Sequence, residues 1–176
     1  MIPGVLIAGI GNIFLGDDAF GCEVIRRLST RQQPEGVRVF DYGIRGFDLT
    51  CALLDGPETV ILVDAVQRGE APGTVYVIEP DLANSDPPES EQPLVEMHGM
   101  DPVKVLHMVR SMGGQFHRVL LVGCEPESFG TEDEGEGRIG LSPPVEAAVD
   151  EAVRLIESLV ADTLVQGKQS QRVEVV

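Results

Sequence analysis

Short apolar segments alternate along the chain with longer segments of helical periodicity. Thr59–Val63 reads TVILV, and such a continuous β-branched and apolar run is typical of a strand covered on both faces. Thr74–Ile78 alternates instead, as an edge strand does. The pattern predicts five strands: Val5–Ala8, Val37–Phe40, Thr59–Val63, Thr74–Ile78 and Arg118–Gly123.

The segments between the strands have the apolar spacing of amphipathic helices. In the first of them, an apolar face follows Asp17, which is placed to cap the helix. Asp101 and Pro102 are the expected cap and first residue of a later helix. The predicted helices are Ala19–Leu28, Phe47–Leu54, Asp101–Met112 and a last one that starts at Ser142 and Pro143, with Val145, Val149, Val153, Ile156 and Val160 on its apolar face.

The alternation of strands and helices predicts the fold class. We expect a single α/β domain, with an open, mostly parallel twisted sheet of about five strands and helices on both faces. The domain is predicted to span residues 1–165, and the polar segment 166–176 to be a disordered tail. Residues 80–96 are rich in proline and acidic residues and predict a surface loop, and the acidic, glycine-rich Gly130–Gly140 predicts a mobile segment.

The composition narrows the possible partners. The 176 residues include 13 basic and 29 acidic ones, for a formal net charge of -16. Nucleic acids and anionic membranes require a basic surface, so we expect neither as a partner. The chain has no apolar run of about 20 residues and no signal segment at its start, which favours a cytoplasmic protein. Its three cysteines are far apart and are expected to be reduced, without structural zinc.

The segment after the first strand, GIGNIFLGDDAFG from Gly9 to Gly21, resembles a phosphate-binding glycine loop only in part. The dinucleotide motif needs a third glycine where this chain has Phe14. Asp17 and Asp18 stand where a pyrophosphate would meet the helix, and their charges would repel it. Nucleotide binding is therefore disfavoured. By themselves, these two aspartates are better explained as residues that cap a helix and complement its dipole.

In an open parallel sheet, a functional site lies beyond the carboxyl ends of the strands. That rule selects the opening loop, Asp41, Asp64 and the segment Gly123–Glu125. Asp18, Asp64 and His98 would together form a three-ligand site that leaves positions open for water or substrate. Nickel and zinc accept such a mixture of oxygen and nitrogen ligands.

The residues also permit a structural interpretation. A lone histidine such as His98 is more often a satisfied surface or core residue than a ligand, and His107 and His117 are interpreted as structural. The spacing of the three candidate ligands along the chain does not show that they converge.

Several motifs occur in the order and at the spacing found in hydrogenase maturation endopeptidases, and the chain resembles that family from about Val5 to Leu159. The motifs are the opening G-I-G-N-x-x-L-G-D-D-A-x-G, Val63-Asp64-Ala65, Met97-His98-Gly99, the segment GCEPES from Gly123 to Ser128, and IGLSPPVEAA from Ile139 to Ala148.

The resemblance implies an endopeptidase that removes a C-terminal extension from the large-subunit precursor of a nickel–iron hydrogenase, its partner, after nickel insertion. It places the family's metal-contacting residues at Asp18, Asp64 and His98, and its D-x-G loop at Asp41. With Asp41 at the edge of the site, these four residues are the expected catalytic set. Nickel would be carried by the substrate, and zinc or another divalent ion is possible at the same site. Asp17 keeps the role of helix cap.

Other functions stay open at this point. A maturation factor that binds nickel or docks on the precursor without cutting would use the same open metal site. A small-substrate hydrolase that shares the GIGN start, as peptidyl-tRNA hydrolases do, is disfavoured by the acidic charge. Catalysis by Cys124 is disfavoured because no histidine is placed to activate it, whereas a mechanism with two aspartates remains open.

Overall fold

A computed structural model of the protein describes residues 4–80, 101–130 and 139–173. Within these residues the chain forms one five-stranded sheet in the order β2-β1-β3-β5-β4. Four strands are parallel, and β4 pairs antiparallel with β5 at one edge. The strands are β1 Val5–Ile10, β2 Val37–Gly43, β3 Thr59–Ala65, β4 Val75–Ile78 and β5 Arg118–Cys124. The predicted fold class, including the edge position of the fourth strand, is confirmed.

The helices lie between the strands as predicted. A short 3₁₀ turn, Gly16–Ala19, leads into α1, and Asp101 caps α3 by accepting a hydrogen bond from the Val103 amide at 2.9 Å. The helices are α1 Phe20–Leu28, α2 Gly46–Leu54, α3 Pro102–Ser111 and α4 Pro143–Val173. No helix in the described part of the chain is long and apolar enough to cross a membrane.

The last helix extends further than the sequence predicts. It continues to Val173, whereas the polar segment from residue 166 is expected to be disordered. Glutamine, lysine and arginine have high helix propensity, and Gly167 alone does not stop a helix that is already formed. Residues 174–176 lie outside the described residues, as do residues 81–96 of the predicted surface loop and 131–138 of the predicted mobile segment.

The sheet is covered on both faces, and alternate strand residues point into two cores. One core joins the sheet to α1 and α4, and the other joins it to α2 and α3. The predicted apolar face of α4 is confirmed, since all five of its residues are buried. The first core includes Ile7, Ile61, Val122, Phe20, Ile25, Val149 and Ile156, and the second includes Leu6, Leu62, Leu121, Leu49, Leu53, Val105 and Val109. With both faces filled, the carboxyl edge of the sheet is left to carry the site.

Candidate active site

Asp64 is the penultimate residue of β3 and lies at the carboxyl edge of the sheet, beside Gly123 of β5. Its side chain is buried, with 6% of the residue exposed. Burial raises the pKa of Asp64 well above its ordinary value, the nearby Asp18 carboxylate raises it further, and a hydrogen bond from the Ala65 amide opposes both. Asp101 also raises this pKa, so the start of α3 lies near enough to act on the same carboxyl group.

Asp18 belongs to the 3₁₀ turn of the opening loop and is half-buried. Its Oδ2 accepts a hydrogen bond from the Asn12 amide at 2.7 Å, which fixes the carboxylate against the start of the loop. Burial raises the pKa of Asp18, and the bond from Asn12 partly offsets that effect. Asp18, in the opening loop, therefore lies within electrostatic range of Asp64 at the end of β3.

Two glycines allow the opening loop and α1 to pack closely beside Asp18 and the ends of the strands. Gly11 has a φ of +136°, and a Cβ on it would lie 1.8 Å from the backbone oxygen of Asp18. Gly21 of α1 packs so closely on the sheet that a Cβ would lie 2.2 Å from the oxygens of both Ile10 and Val63. The glycines of the opening loop therefore serve close backbone packing beside the site.

Asp17 has a different role from the predicted one. The cap position of α1 is Ala19, with no side-chain cap hydrogen bond, so the prediction that Asp17 caps this helix is wrong. Asp17 is 1% exposed, and its carboxylate accepts four hydrogen bonds from residues distant in sequence. The donors are the amides of Glu127, Ser128 and Ser142 at 2.8, 3.1 and 2.6 Å and the Ser142 hydroxyl at 2.9 Å. These partners could not be identified from the sequence, although Glu127, Ser128 and Ser142 all occur in the motifs that resemble the family.

Asp41 lies on β2 opposite Gly9 of β1, so it shares the same edge of the sheet. Its Oδ1 accepts a hydrogen bond from the Gly43 amide at 2.9 Å, and the Arg45 guanidinium donates to its backbone oxygen. The side chain is exposed and lines a cleft of about 360 Å³. Other walls of the cleft include Ile13, Cys22, Ile139 and Leu141.

The pKa of Cys22 is affected by all three candidate carboxylates. Burial raises the pKa of this thiol most, followed by Asp41, Asp18 and Asp64 in that order. All three carboxylates therefore lie within electrostatic range of one side chain. A buried thiol in such surroundings is held protonated, and it is a poor nucleophile.

The segment Gly123–Glu125 at the end of β5, also selected by the strand-end rule, has structural roles in its observed contacts. Glu125 is buried, and its carboxylate accepts hydrogen bonds from the Arg68 and Gly69 amides at 2.8 and 3.0 Å, which holds the connection between β3 and β4. Burial, followed by Asp17 and Glu125, raises the pKa of Cys124 to about 12. This thiol is protonated at neutral pH.

His98, the predicted imidazole ligand, lies outside the described residues. Among the residues that are described, no group of three or more His, Cys, Asp or Glu side chains is arranged to hold a metal ion. His107 lies on α3 and exposed His117 directly precedes β5. The complete ligand set of Asp18, Asp64 and His98 therefore stays a prediction.

The fold and the site define a single-domain α/β protein whose acidic side chains gather at the carboxyl edge of the sheet. Comparison with known proteins identifies its family. The family model HycI, described as hydrogenase maturation protease, matches residues 22–159. The chain is 29% identical over 153 residues to the hydrogenase 2 maturation protease of Escherichia coli, covering 86% of this chain and 87% of the relative.

Solved structures agree with that match. The hydrogenase maturating endopeptidase HybD from Escherichia coli has a TM-score of 0.71 at 26% identity, with 91% of this chain and 93% of that chain covered. The NiFe hydrogenase maturation protease HycI from Thermococcus kodakarensis has a TM-score of 0.58 at 26% identity, with 92% of each chain covered. The chain belongs to the hydrogenase maturation protease family and is a peptide hydrolase.

Proposed function

We propose that this protein removes the C-terminal extension of a nickel–iron hydrogenase large-subunit precursor after nickel has been inserted, and that it recognises the inserted ion. The observation that carries this proposal is the pair of carboxylates, Asp18 and Asp64, at one edge of the sheet. A divalent cation presented by the substrate would compensate both the burial and the mutual repulsion of these two groups.

The donor set fits such an ion. Two carboxylates and the imidazole of His98 supply oxygen and nitrogen ligands, which suit nickel, and zinc or another divalent ion could occupy the same ligands. His98 is included on the resemblance of Met97-His98-Gly99 to the family's histidine motif. A site of three protein ligands leaves room for groups of the substrate.

The chain's own residues would act mainly by binding and orientation. Asp18 and Asp64 hold the nickel-bearing end of the substrate, and the exposed Asp41 lines the adjacent cleft, where it can contact the segment next to the scissile bond. A divalent ion in this position can polarise the scissile carbonyl or activate a water molecule. Cys22 and Cys124 take no part as nucleophiles, since burial raises the pKa of both thiols.

The proposal is tested by incubating the purified protein with nickel-loaded and nickel-free precursor and measuring the mass of any released peptide. We expect release only from the nickel-loaded precursor. Release from both forms at equal rates would overturn nickel recognition. Formation of a complex without release of a peptide would overturn cleavage and favour a non-cleaving maturation factor.

A matched pair of variants tests the predicted ligand set. His98→Ala should abolish peptide release, whereas His117→Ala should cleave like the unmodified protein. His117 is exposed and precedes β5, so it lies at the opposite edge of the sheet from Asp64. Full activity of His98→Ala would remove His98 from the site.

A further inference from the structure

The carboxylate of Asp17 joins three separate segments of the chain beside the site. It lies in the 3₁₀ turn of the opening loop and accepts hydrogen bonds from Glu127 and Ser128, which follow β5, and from Ser142, which precedes α4. The backbone amide of Asp17 in turn donates to the Ser128 oxygen at 3.1 Å. The opening loop is therefore bonded in both directions to the segment after β5.

Both oxygens of the Asp17 carboxylate accept hydrogen bonds, three of them at Oδ2 and one at Oδ1. An ionised aspartate has two oxygens that only accept hydrogen bonds, and in Asp17 each of them is bonded to a backbone amide. Bonds of this kind, from neutral donors to a charged acceptor, are among the stronger ones in proteins. An asparagine in this position would replace one acceptor by an NH₂ donor, which would face amide donors that it cannot satisfy.

The residues that Asp17 holds form part of the site. Its direct neighbour is Asp18, and successive residues of a 3₁₀ turn point about 120° apart, so one side chain can be anchored while the next faces Asp64. Ser142 follows Ile139, Gly140 and Leu141, which line the cleft together with Asp41. Anchoring at Ser142 therefore also fixes this wall of the cleft.

We propose that Asp17 is a positioning residue, which sets the orientation of the Asp18 carboxylate toward the substrate's nickel by bonding the opening loop to Glu127, Ser128 and Ser142. This inference rests on the proposed function, because it gives Asp18 the role of a nickel contact. It also explains why two adjacent aspartates occur in the opening loop. One of them is buried and organises the loop, and the other is left to face the substrate.

The test measures the affinity of each variant for nickel-loaded and for nickel-free precursor. The ratio used is the dissociation constant for the nickel-free precursor divided by that for the nickel-loaded precursor, so a ratio above one means that nickel is recognised. A loss of folded protein would weaken both affinities equally and leave the ratio unchanged. We expect Asp17→Asn to lower the ratio by about tenfold, in the direction of Asp18→Asn. Asp162→Asn is the matched control, since it makes the same chemical change at an exposed position of α4 and should leave the ratio unchanged.

A second variant covers the case in which Asp17→Asn does not fold. Ser142→Ala removes one of the four hydrogen bonds and keeps the charge of Asp17, so we expect a smaller fall in the ratio, of about threefold. Amide hydrogen exchange of the free protein should show faster exchange at Ser142, Glu127 and Ser128 in Asp17→Asn, but not in Asp162→Asn.

The outcomes separate this inference from the proposed function. A ratio above one in the unmodified protein that is unchanged in both Asp17→Asn and Ser142→Ala would overturn the positioning role and leave nickel recognition standing. A ratio of one in the unmodified protein would overturn nickel recognition itself, and the positioning role with it.

Discussion

Asp18 and Asp64 come from different strand ends, yet the charge of Asp18 acts on the carboxyl group of Asp64. Burial is the larger cause of the raised pKa of Asp64, and the Asp18 carboxylate is the next. The two groups are thus held together at an energetic disadvantage in the free protein. Such a pair is typical of a functional site, because the arrangement becomes favourable when a positive ligand arrives.

Asp64→Asn should raise the stability of the protein and lower its activity. Asparagine keeps the shape of the side chain and removes the charge that burial and Asp18 disfavour, so the variant should be more stable than the unmodified protein at neutral pH. We expect the melting temperature to rise by roughly 2–4 °C for each kcal/mol of unfavourable charge removed. Peptide release should fall by more than about 100-fold, since a ligand to the substrate's ion is lost.

The stabilisation by Asp64→Asn should depend on pH in a defined direction. Because the folded pKa is raised above the ordinary 3.8, the folded state retains the Asp64 proton where the unfolded chain has lost it. The contribution of Asp64 to stability is therefore greatest at low pH and declines as the pH rises through the raised pKa. Melting temperatures of both proteins across this range should diverge with increasing pH. Curves that stay parallel would show that Asp64 is not in the buried, repelled state described here.

Gly21→Ala should weaken the packing of α1 on the sheet. The added methyl group would meet the backbone oxygens of Ile10 and Val63 at 2.2 Å, and backbone atoms cannot move aside cheaply. We expect a loss of about 1–3 kcal/mol in the free energy of unfolding, measured with urea. Gly4→Ala is the control, because nothing lies within 4 Å of its added Cβ and no such loss is expected. Equal stability of the two variants would contradict the close approach of α1.

Arg27 should contribute a modest, salt-sensitive link between α1 and α4. Its guanidinium contacts Glu146 at 2.5 Å and Asp150 at 2.7 Å on α4, as well as Glu23 on its own helix. The partners on α4 are more than half exposed, so Arg27→Gln should lower the free energy of unfolding by only about 1 kcal/mol at low salt, and by less at high salt. Arg31→Gln, which removes a single exposed pair with Glu157, should have a smaller effect at both salt concentrations.

Thiol labelling should distinguish the three cysteines. Cys51 is exposed, whereas Cys22 and Cys124 are buried and have raised pKa values. In the native protein we expect one thiol to react rapidly with a disulfide reagent near neutral pH, and Cys51→Ser to abolish that phase. Rapid labelling of Cys22 or Cys124 in native Cys51→Ser would contradict their protected state and reopen cysteine catalysis.

Much of the fold could be predicted from local patterns. The apolar run of Thr59–Val63 marks a strand buried on both faces, and Asp101 with Pro102 marks the start of α3; both features are found in the structure. The candidate carboxylates could be selected because they lie at or beyond the carboxyl ends of predicted strands. Finding these ends does not require knowledge of the order of the strands in the sheet. The role of Asp17 could not be predicted, since helix capping is the usual explanation of an aspartate ahead of a helix.

The sequence by itself determined the alternation of strands and helices, the apolar faces that cover the sheet, and the placement of Asp18, Asp41 and Asp64 at or beyond the carboxyl ends of strands. These features depend on periodicity and on neighbours within a few residues, which a linear pattern records. Only the tertiary structure decided that β4 runs antiparallel and that Asp17 bonds to residues 110–125 positions away. The physical reason is that Asp17 is satisfied by donors that meet only when three loops are brought together by the packed sheet, and no local pattern encodes that meeting.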